Sequence, residues 1–344
     1  MGRHSAARFF KKHEKMQFKI EKLATDGKGI VRTDNGIIFV IGALPGETAE
    51  VEIIKRKREY SVAKLKVIIE PSKHRINPIC PYFHKCGGCQ IQHLAYPFQL
   101  ETKASFVEES MLRIGNIRLS DKVTCEASPK IWNYRNKASF PVKTINGKIN
   151  PGFYVASSHN LVIIDNCAII HEKLNSALNI IKKNMQSLGF TAYDENRHVG
   201  TLRHIILRTN GEHILVSFVI NGQISKKQKN NIISLAKNMP NMTFTVNENK
   251  SRSNVILGRK TETMSGCGYI ETRIGRHMLR YDTTSFFQVN TEQSQNLYEY
   301  ACSFIPENGN ILELYCGIGS ITMKLAEKAK QVTAVEELER QSTP

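Results

Sequence analysis

The chain has 344 residues, of which 41% are hydrophobic and 23% charged, and these values are typical of a soluble globular protein with two or three domains. No apolar run approaches the roughly 18 residues of a membrane span, and no apolar stretch follows the basic N-terminal residues as it would in a secretory signal. Lys and Arg outnumber Asp and Glu by 48 to 31, and the formal charge of +17 favours a polyanionic partner such as nucleic acid. We therefore predict a cytoplasmic protein with no membrane partner and with reduced thiols.

The first predicted domain is a small β-barrel over residues 16–72, preceded by a disordered basic arm over residues 1–15. Five short alternating segments with glycine punctuation predict five strands, and "TDNG", residues 33–36, predicts a tight hairpin turn. Five strands in so short a stretch fit an OB-like barrel, which is a fold that binds oligonucleotides or acts as a plain linker domain. The basic stretch "IIKRKREY", residues 53–60, favours contact with RNA.

Residues 73–280 predict an α+β middle domain that opens with an unusual cysteine-rich stretch. "CPYFHKCGGCQIQH", residues 80–93, places Cys80, Cys86 and Cys89 within ten positions of a chain that has eight cysteines. In a reducing compartment such clustering indicates a metal or a catalytic site. A helical face then runs over about 98–115, and strands alternate with two longer helices as far as residue 248. Three isolated cysteines are expected in the core: Cys125, Cys267 and Cys302.

A glycine-rich turn near residue 317 belongs to the clearest structural motif in the sequence. An apolar strand over 311–315 runs into Gly317 and Gly319, a helix is predicted over about 320–330, and a second strand over 332–335 ends at Glu336. This order is typical of a dinucleotide-type half-site, in which the acid accepts hydrogen bonds from ribose hydroxyls. The third glycine of a nicotinamide fingerprint is missing from this turn. Glu313, four residues before Gly317, instead favours S-adenosylmethionine (SAM); the alternative is an α/β crossover that binds nothing.

In this order, the barrel, the cysteine stretch and the glycine turn resemble the RNA uracil-5-methyltransferases that act on bacterial 23S rRNA. The resemblance covers about residues 16–336 and includes "YRNKASFPV", "LRHIILRTN", "FFQVNTEQ" and "LELYCGIGSITMKLA". It implies a TRAM-type OB-like barrel, an α+β iron–sulfur middle domain, and residues 281–344 as the start of a Rossmann-like SAM methyltransferase domain. It also implies that the helix at about 98–115 packs on that methyltransferase domain. The expected protein is a monomer whose partner is RNA, most simply 23S rRNA.

The resemblance implies a [4Fe–4S] cluster held by Cys80, Cys86, Cys89 and a distant fourth ligand, Cys167. Four thiolates suit an iron–sulfur cube or tetrahedral zinc, so the spacing does not choose between the two. A radical-SAM methylthiotransferase also pairs a TRAM domain with a cluster, but its three cysteines are spaced more closely than these.

The resemblance also implies residues for the cofactor and for RNA. SAM would contact Gln288, Tyr315 and Glu336, with Gly317 and Gly319 forming the turn beside it. For RNA, Phe286 would stack on an extruded base, with ordinary core packing as the alternative. Arg135 and Lys137 would contact the RNA backbone or bases, with a solvated strand face as the alternative.

The family's reaction requires a cysteine thiolate that adds to carbon 6 of uracil and a glutamate that removes the proton from carbon 5. Both residues are expected well beyond the acid at 336, and the sequence closes at "VEELERQSTP". We therefore expect the methyltransferase domain to be incomplete and this chain to be inactive by itself. The alternatives left open are a non-catalytic iron–sulfur protein that binds RNA and a methyltransferase for tRNA.

Overall fold

The computed structural model describes residues 13–337, and the chain divides into two compact units between Ala127 and Ser128. The first unit contains the barrel, the cysteine-rich segment and one helix. The second contains a seven-stranded sheet, a hairpin and the glycine-rich turn. Most of the predicted basic arm, residues 1–12, lies outside the described residues, as do residues 338–344.

The first unit is built around a β-barrel. Its strands are β1 (Lys15–Lys19), β2 (Lys22–Leu23), β3 (Gly29–Thr33), β4 (Gly36–Ile41), β5 (Thr48–Arg56) and β6 (Tyr60–Glu70). The sheet order is β1-β5-β6-β4-β3-β2, and the sheet closes because only Ile20 and Glu21 separate its two edge strands, β1 and β2. Alternate side chains such as Ile38 and Ile53 are fully buried inside. All five predicted strands are present, the first broken in two, and the predicted turn joins β3 to β4.

A buried ion pair ties the barrel to the segment that follows it. Glu47 is fully buried, and its carboxylate accepts hydrogen bonds from Arg75 Nε at 2.5 Å and Arg75 Nη2 at 2.9 Å, and from the amide of Leu44 at 2.8 Å. Burial raises the pKa of Glu47, but these hydrogen bonds outweigh it and leave the pKa below its ordinary value. Helix α1 (Tyr96–Arg113) then covers most of the helical region predicted at 98–115.

The second unit has a seven-stranded sheet with two helices packed on one face. Its strands are β7 (Lys137–Ile145), β8 (Lys148–Tyr154), β9 (Leu161–Ile163), β10 (Leu202–Thr209), β11 (Ile214–Ile220), β12 (Met242–Glu248) and β13 (Lys260–Ser265), in the order β13-β12-β11-β10-β7-β8-β9. Only β11 and β12 pair in parallel, because helix α3 (Lys226–Lys237) connects them. Helix α2 (Glu172–Leu188) and α3 share one core with the sheet residues Val216 and Phe218.

The opposite face of the sheet carries the remaining elements. Leu215, which points away from Val216, packs with Ile270 and Tyr281 of the hairpin β14 (Ile270–Ile274) and β15 (His277–Tyr281). The same core includes Tyr298 of helix α4 (Thr291–Ser303). The chain ends in the parallel pair β16 (Asn310–Leu314) and β17 (Gln331–Val335), with the short helix α5 (Thr322–Leu325) between them.

Four strands of the second unit, β8, β13, β14 and β15, were not predicted from the sequence, and the helix predicted before β17 is shorter than expected. Strand β8, "KINPGFY", contains Pro151 and Gly152, and the glycine permits its pairing with β9: a Cβ at Gly152 would lie 2.1 Å from the oxygen of Val162. The helix predicted over 320–330 is regular only in α5, and scattered helical hydrogen bonds continue to Ala329. Only Leu325 of α5 is buried, so little packing stabilises a longer helix.

Candidate functional site

The glycine-rich turn lies where the paired strands β16 and β17 end. Leu314 is opposite Val335, so both chains leave the sheet at its carboxyl edge, where ligands bind in open α/β sheets. Gly317 and Gly319 have φ of 58° and 81°, the left-handed region that glycine adopts without strain. The amide of Gly317 donates to Glu336 Oε2 at 2.8 Å, and the amide of Cys316 donates to the oxygen of Val335 at 3.1 Å. The predicted acid therefore closes the turn.

Two side chains flank this turn in different ways. The Tyr315 side chain is 81% exposed with φ at 59°, so its ring stands in solvent at the strand end. Glu313 is half-buried and accepts a hydrogen bond from Thr322 Oγ1 at 2.6 Å, which ties β16 to the first turn of α5. Burial raises the pKa of Glu313. The residues fit the cofactor implied by the resemblance: a carboxylate for ribose hydroxyls, an exposed ring to pack on, and a glycine turn for close approach.

The segment 282–290 brings the other predicted residues together. Asp282 Oδ1 accepts hydrogen bonds from the amide and hydroxyl of Thr284 at 2.7 and 2.8 Å, and from the amide and hydroxyl of Ser285, both at 2.9 Å. Burial raises the pKa of Asp282, but these four bonds outweigh it and lower the pKa overall. The carboxylate therefore fixes a tight turn immediately before Phe286.

Phe286 and Phe287 point to opposite sides of this segment. Phe286 is 67% exposed, whereas Phe287 is buried and stacks on Tyr281 with ring centroids 4.8 Å apart. The core-packing alternative for Phe286 is thus wrong, because Phe287 fills that place. An exposed aromatic face fixed beside a buried neighbour is suited to stacking on an unpaired base.

Asn136 anchors the end of the segment to β7. Its amide nitrogen Nδ2 donates to the oxygen of Gln288 and to Thr291 Oγ1, both at 2.8 Å. Its backbone amide donates to the oxygen of Val289 at 2.8 Å. The Gln288 side chain is half-buried and lies two residues before Asn290, the N-cap of α4.

Three cations lie on the adjoining strands. Lys137 on β7 is directly opposite Arg208 on β10, and Arg135 forms a bridge with Asn290. Burial, with Arg208 and Arg135 nearby, lowers the pKa of Lys137 to about 8. No ion pair formed within residues 13–337 includes Arg135, Lys137 or Arg208. Arg135 and Lys137, which are half-buried, therefore form a basic group with positive charge available for an anion.

Arg208 was missed by sequence reasoning although it supports the site. It is 2% exposed, donates to the oxygen of Ser285 and, at 3.4 Å, to that of Thr283, and lies 5.5 Å from the Tyr281 ring centroid. Burial lowers its pKa to about 10. The available signal was an arginine in an otherwise apolar strand, "HIILRT", which requires a buried partner.

The cysteine-rich segment forms an irregular loop in the first unit. The amide of Cys86 donates to the oxygen of Tyr82 at 2.7 Å, and Cys86 Sγ accepts from the amide of Gly88 at 3.4 Å. In the second unit, Asn175 bonds both the amide and the oxygen of Cys167, at 2.8 and 3.1 Å. Within residues 13–337, no group of three or more His, Cys, Asp or Glu side chains is placed as a metal ion requires.

The remaining cysteines follow the sequence prediction only in part. Cys302 is buried, as expected, and burial raises the pKa of its thiol. Cys267 is exposed, so the prediction that it belongs to the core is wrong; it stands between two glycines that turn the chain outward. Burial, with the charges of Glu313 and Glu336, raises the pKa of Cys316.

A search of residues 13–337 finds no helix that is both long enough and apolar enough to cross a membrane.

Known proteins are similar to this chain over most of its length. The family model described as tRNA (Uracil-5-)-methyltransferase matches residues 95–342, and the TRAM domain model matches residues 12–66. Two relatives, both called uncharacterized RNA methyltransferase, come from Halalkalibacterium halodurans and Clostridium tetani. Each is 36% identical, and the alignments cover 94% and 95% of this chain and 72% of each relative. The crystal structure of Pyrococcus abyssi tRNA (uracil-54, C5)-methyltransferase in complex with S-adenosyl-L-homocysteine is 25% identical, with a TM-score of 0.74 over 95% of this chain and 74% of that chain.

Proposed function

Because the chain belongs to the tRNA (uracil-5-)-methyltransferase family, we propose that its second unit holds SAM at the glycine turn and a uridine of RNA beside Phe286. The observation that carries this proposal is the hydrogen bond between the Gly317 amide and Glu336, which closes the turn at the carboxyl edge of the sheet. Bound SAM would supply an electrophilic methyl group for carbon 5 of uracil.

We assign the cofactor contacts to Glu336, Tyr315 and Gln288, with Gly317 and Gly319 lining the turn. The Glu336 carboxylate would accept hydrogen bonds from ribose hydroxyls, which are the donors this position favours. The exposed Tyr315 ring would pack on the ligand. The Gln288 amide, held in place through Asn136, would hydrogen-bond polar groups of the methionine or of the base.

RNA would be bound by the basic group and by the barrel. Arg135 and Lys137 would neutralise phosphates next to the base that stacks on Phe286. In the first unit, β5 and the turn after it expose a run of basic side chains next to Tyr60, namely Lys55, Arg56, Lys57 and Arg58. Tyr60 packs edge-on against Phe39 with centroids 5.5 Å apart, and an aromatic ring among cations is the usual surface for single-stranded RNA.

We propose that these 344 residues bind both ligands without turnover. A nucleophilic cysteine must be a thiolate, which requires a lowered pKa. The thiols of Cys302 and Cys316 are shifted the other way. The non-catalytic alternative, an iron–sulfur protein that binds RNA, also predicts no turnover, so SAM binding is the measurement that separates the two.

Both 23S rRNA and tRNA remain candidate substrates. The resemblance seen in the sequence, with its cysteine stretch, favours 23S rRNA. The likeness to the Pyrococcus abyssi tRNA enzyme favours tRNA, and because that alignment covers 95% of this chain, the barrel does not discriminate between the two substrates. Parallel assays with both RNAs, each lacking the modification, decide the question.

The iron–sulfur cluster stays a prediction that the family resemblance implies, with Cys80, Cys86, Cys89 and Cys167 as its ligands. Iron and zinc analysis of protein purified without oxygen tests it, since a [4Fe–4S] cube gives about four irons per chain. We also propose that the protein is cytoplasmic and monomeric. Size-exclusion chromatography of the purified chain tests whether it is a monomer.

The test of the proposed function combines two measurements on the same protein. Equilibrium dialysis with labelled SAM should show saturable binding that S-adenosylhomocysteine competes away. Nucleoside analysis of RNA incubated with the protein and SAM should show no 5-methyluridine. Absence of SAM binding would contradict the assignment of the glycine turn, whereas 5-methyluridine would contradict only the proposal of binding without turnover.

A further inference from the structure

The second unit has a cavity of about 570 Å³ away from the glycine turn. Its walls come from the start of β10, the turn over 192–198, the loop over 252–254, and the strand ends near Lys143 and His159. Arg203 lines the cavity, and Arg208 beside Phe286 lies five residues further along the same strand. At about 3.3 Å per residue, roughly 17 Å separates the two arginines.

Arg203 is a buried cation without an anionic partner. It is the extra residue of a β-bulge, because Leu202 pairs with Ile220 but His204 pairs with Val219. It is 8% exposed, and its Nη1 donates to the oxygens of Asn249 and Ser251 at 2.9 and 2.5 Å. Bulges often redirect a side chain beside a functional site.

The charge of Arg203 is not neutralised by its surroundings. No carboxylate oxygen lies within 4.0 Å of it in residues 13–337, and its buried Nε has no hydrogen-bond partner there. Its guanidinium carbon lies 4.7 Å from the Tyr193 ring centroid. A buried charge is costly unless it is paired, so a buried donor that lines a cavity indicates an anionic ligand.

Two carboxylates of the turn over 192–198 present fixed acceptors to the cavity. Glu195 Oε1 accepts from Tyr154 OH at 3.2 Å, and Glu195 Oε2 is bonded to His159 Nδ1 at 2.8 Å. Asp194 Oδ1 accepts the amides of Asn196 and Arg197 at 2.9 and 3.2 Å. Carboxylates held in this way are suited to accept hydrogen bonds from hydroxyl or amino groups. The ligand should therefore carry an anion at one end and such donors at the other.

We propose that this cavity binds one nucleotide, with its phosphate toward Arg203 and Arg252 and its sugar or base donors toward Glu195. The volume falls within the range of about 300–1,000 Å³ that small-molecule sites occupy. The nucleotide could be free or part of an RNA strand. The RNA case rests on the proposed function and places this nucleotide some distance along the strand from the methylated uridine.

The test uses the full chain and two arginine variants with equal loss of charge. Arg252→Ala removes a cavity side chain, whereas Arg197→Ala removes an exposed arginine of the turn over 192–198 that is not itself among the residues lining the cavity. Each protein is titrated with a fluorescent oligouridylate at several salt concentrations and, separately, with uridine 5′-monophosphate by calorimetry. We expect Arg252→Ala to weaken oligouridylate binding about fivefold and to reduce the salt slope by about 1, as for one lost phosphate contact.

The outcomes separate this inference from the proposed function. A selective effect of Arg252→Ala on the oligouridylate supports an RNA nucleotide, and a selective effect on the monophosphate alone supports a free nucleotide. If Arg252→Ala and Arg197→Ala behave alike with both ligands, the cavity assignment is overturned even where RNA still binds. If the oligouridylate fails to bind any of the proteins while the monophosphate depends on Arg252, the cavity assignment holds and RNA binding fails.

Discussion

Replacement of Asn136 by Ala should loosen the segment that carries Gln288. The Asn136 side chain is buried, and its two hydrogen bonds, to the oxygen of Gln288 and to Thr291 Oγ1, are both 2.8 Å long. Each such bond contributes about 1 kcal/mol net, so the variant should lose about 2 kcal/mol locally. The backbone bond from Asn136 to Val289 remains, which limits the damage to this segment.

Hydrogen exchange measured by mass spectrometry reports this loss directly. A loss of about 2 kcal/mol corresponds to roughly 30-fold faster exchange of the amides over 288–291, and SAM affinity should fall with it. Asn179→Ala is the matched control, because the Asn179 amide donates to a single backbone oxygen, that of Asp165, from an exposed position. Exchange within threefold of the wild type in a folded Asn136→Ala protein would refute the anchoring role.

Three further predictions concern the cofactor, the pH dependence and the fold. Glu336→Gln should weaken SAM binding by about tenfold through loss of a charge-assisted bond, whereas Glu337→Gln, an exposed neighbour, should not; calorimetry distinguishes them. The pKa of Lys137 is lowered to about 8, so its positive charge is lost as the pH rises through that value. RNA affinity should therefore fall between about pH 7 and 9, and Lys137→Arg, which stays charged, should abolish that fall in a binding titration. Ser225→Ala should cost about 1 kcal/mol in urea unfolding, because Ser225 and Gln228 form the capping box of α3.

Elements with local signals were predictable from the sequence. The capping box at Ser225 and the left-handed Gly189 that ends α2 mark helix boundaries by nearest-neighbour chemistry. The alternation of the barrel strands and the order of glycines and acid around Gly317 are likewise short-range patterns. Strand β8 was missed although a local signal marks it: it pairs with β7 through the two-residue turn Asn146-Gly147, whose φ values of 51° and 72° are typical of a hairpin.

The residues proposed for the site could be picked out from the sequence, whereas the residues that support them could not. Phe286, Gln288 and Glu336 lie in short motifs, whereas their anchors Asn136 and Arg208 act across 152 and 77 positions of sequence. No local pattern carries such contacts, because they form only when β7 and β10 come to lie beside the segment over 282–290. The exposure of Cys267 could not be predicted for the same reason, because the exposure of a side chain depends on contacts that form only in the folded protein.

The most direct measurement is ultraviolet cross-linking of methyl-labelled SAM to the full chain, followed by peptide mapping. The label should enter the peptide that contains Tyr315, and S-adenosylhomocysteine should prevent it, because the exposed ring stands at the glycine turn that Glu336 closes. Label that resists competition, or that enters only the barrel, would contradict the assignment of the cofactor to this turn.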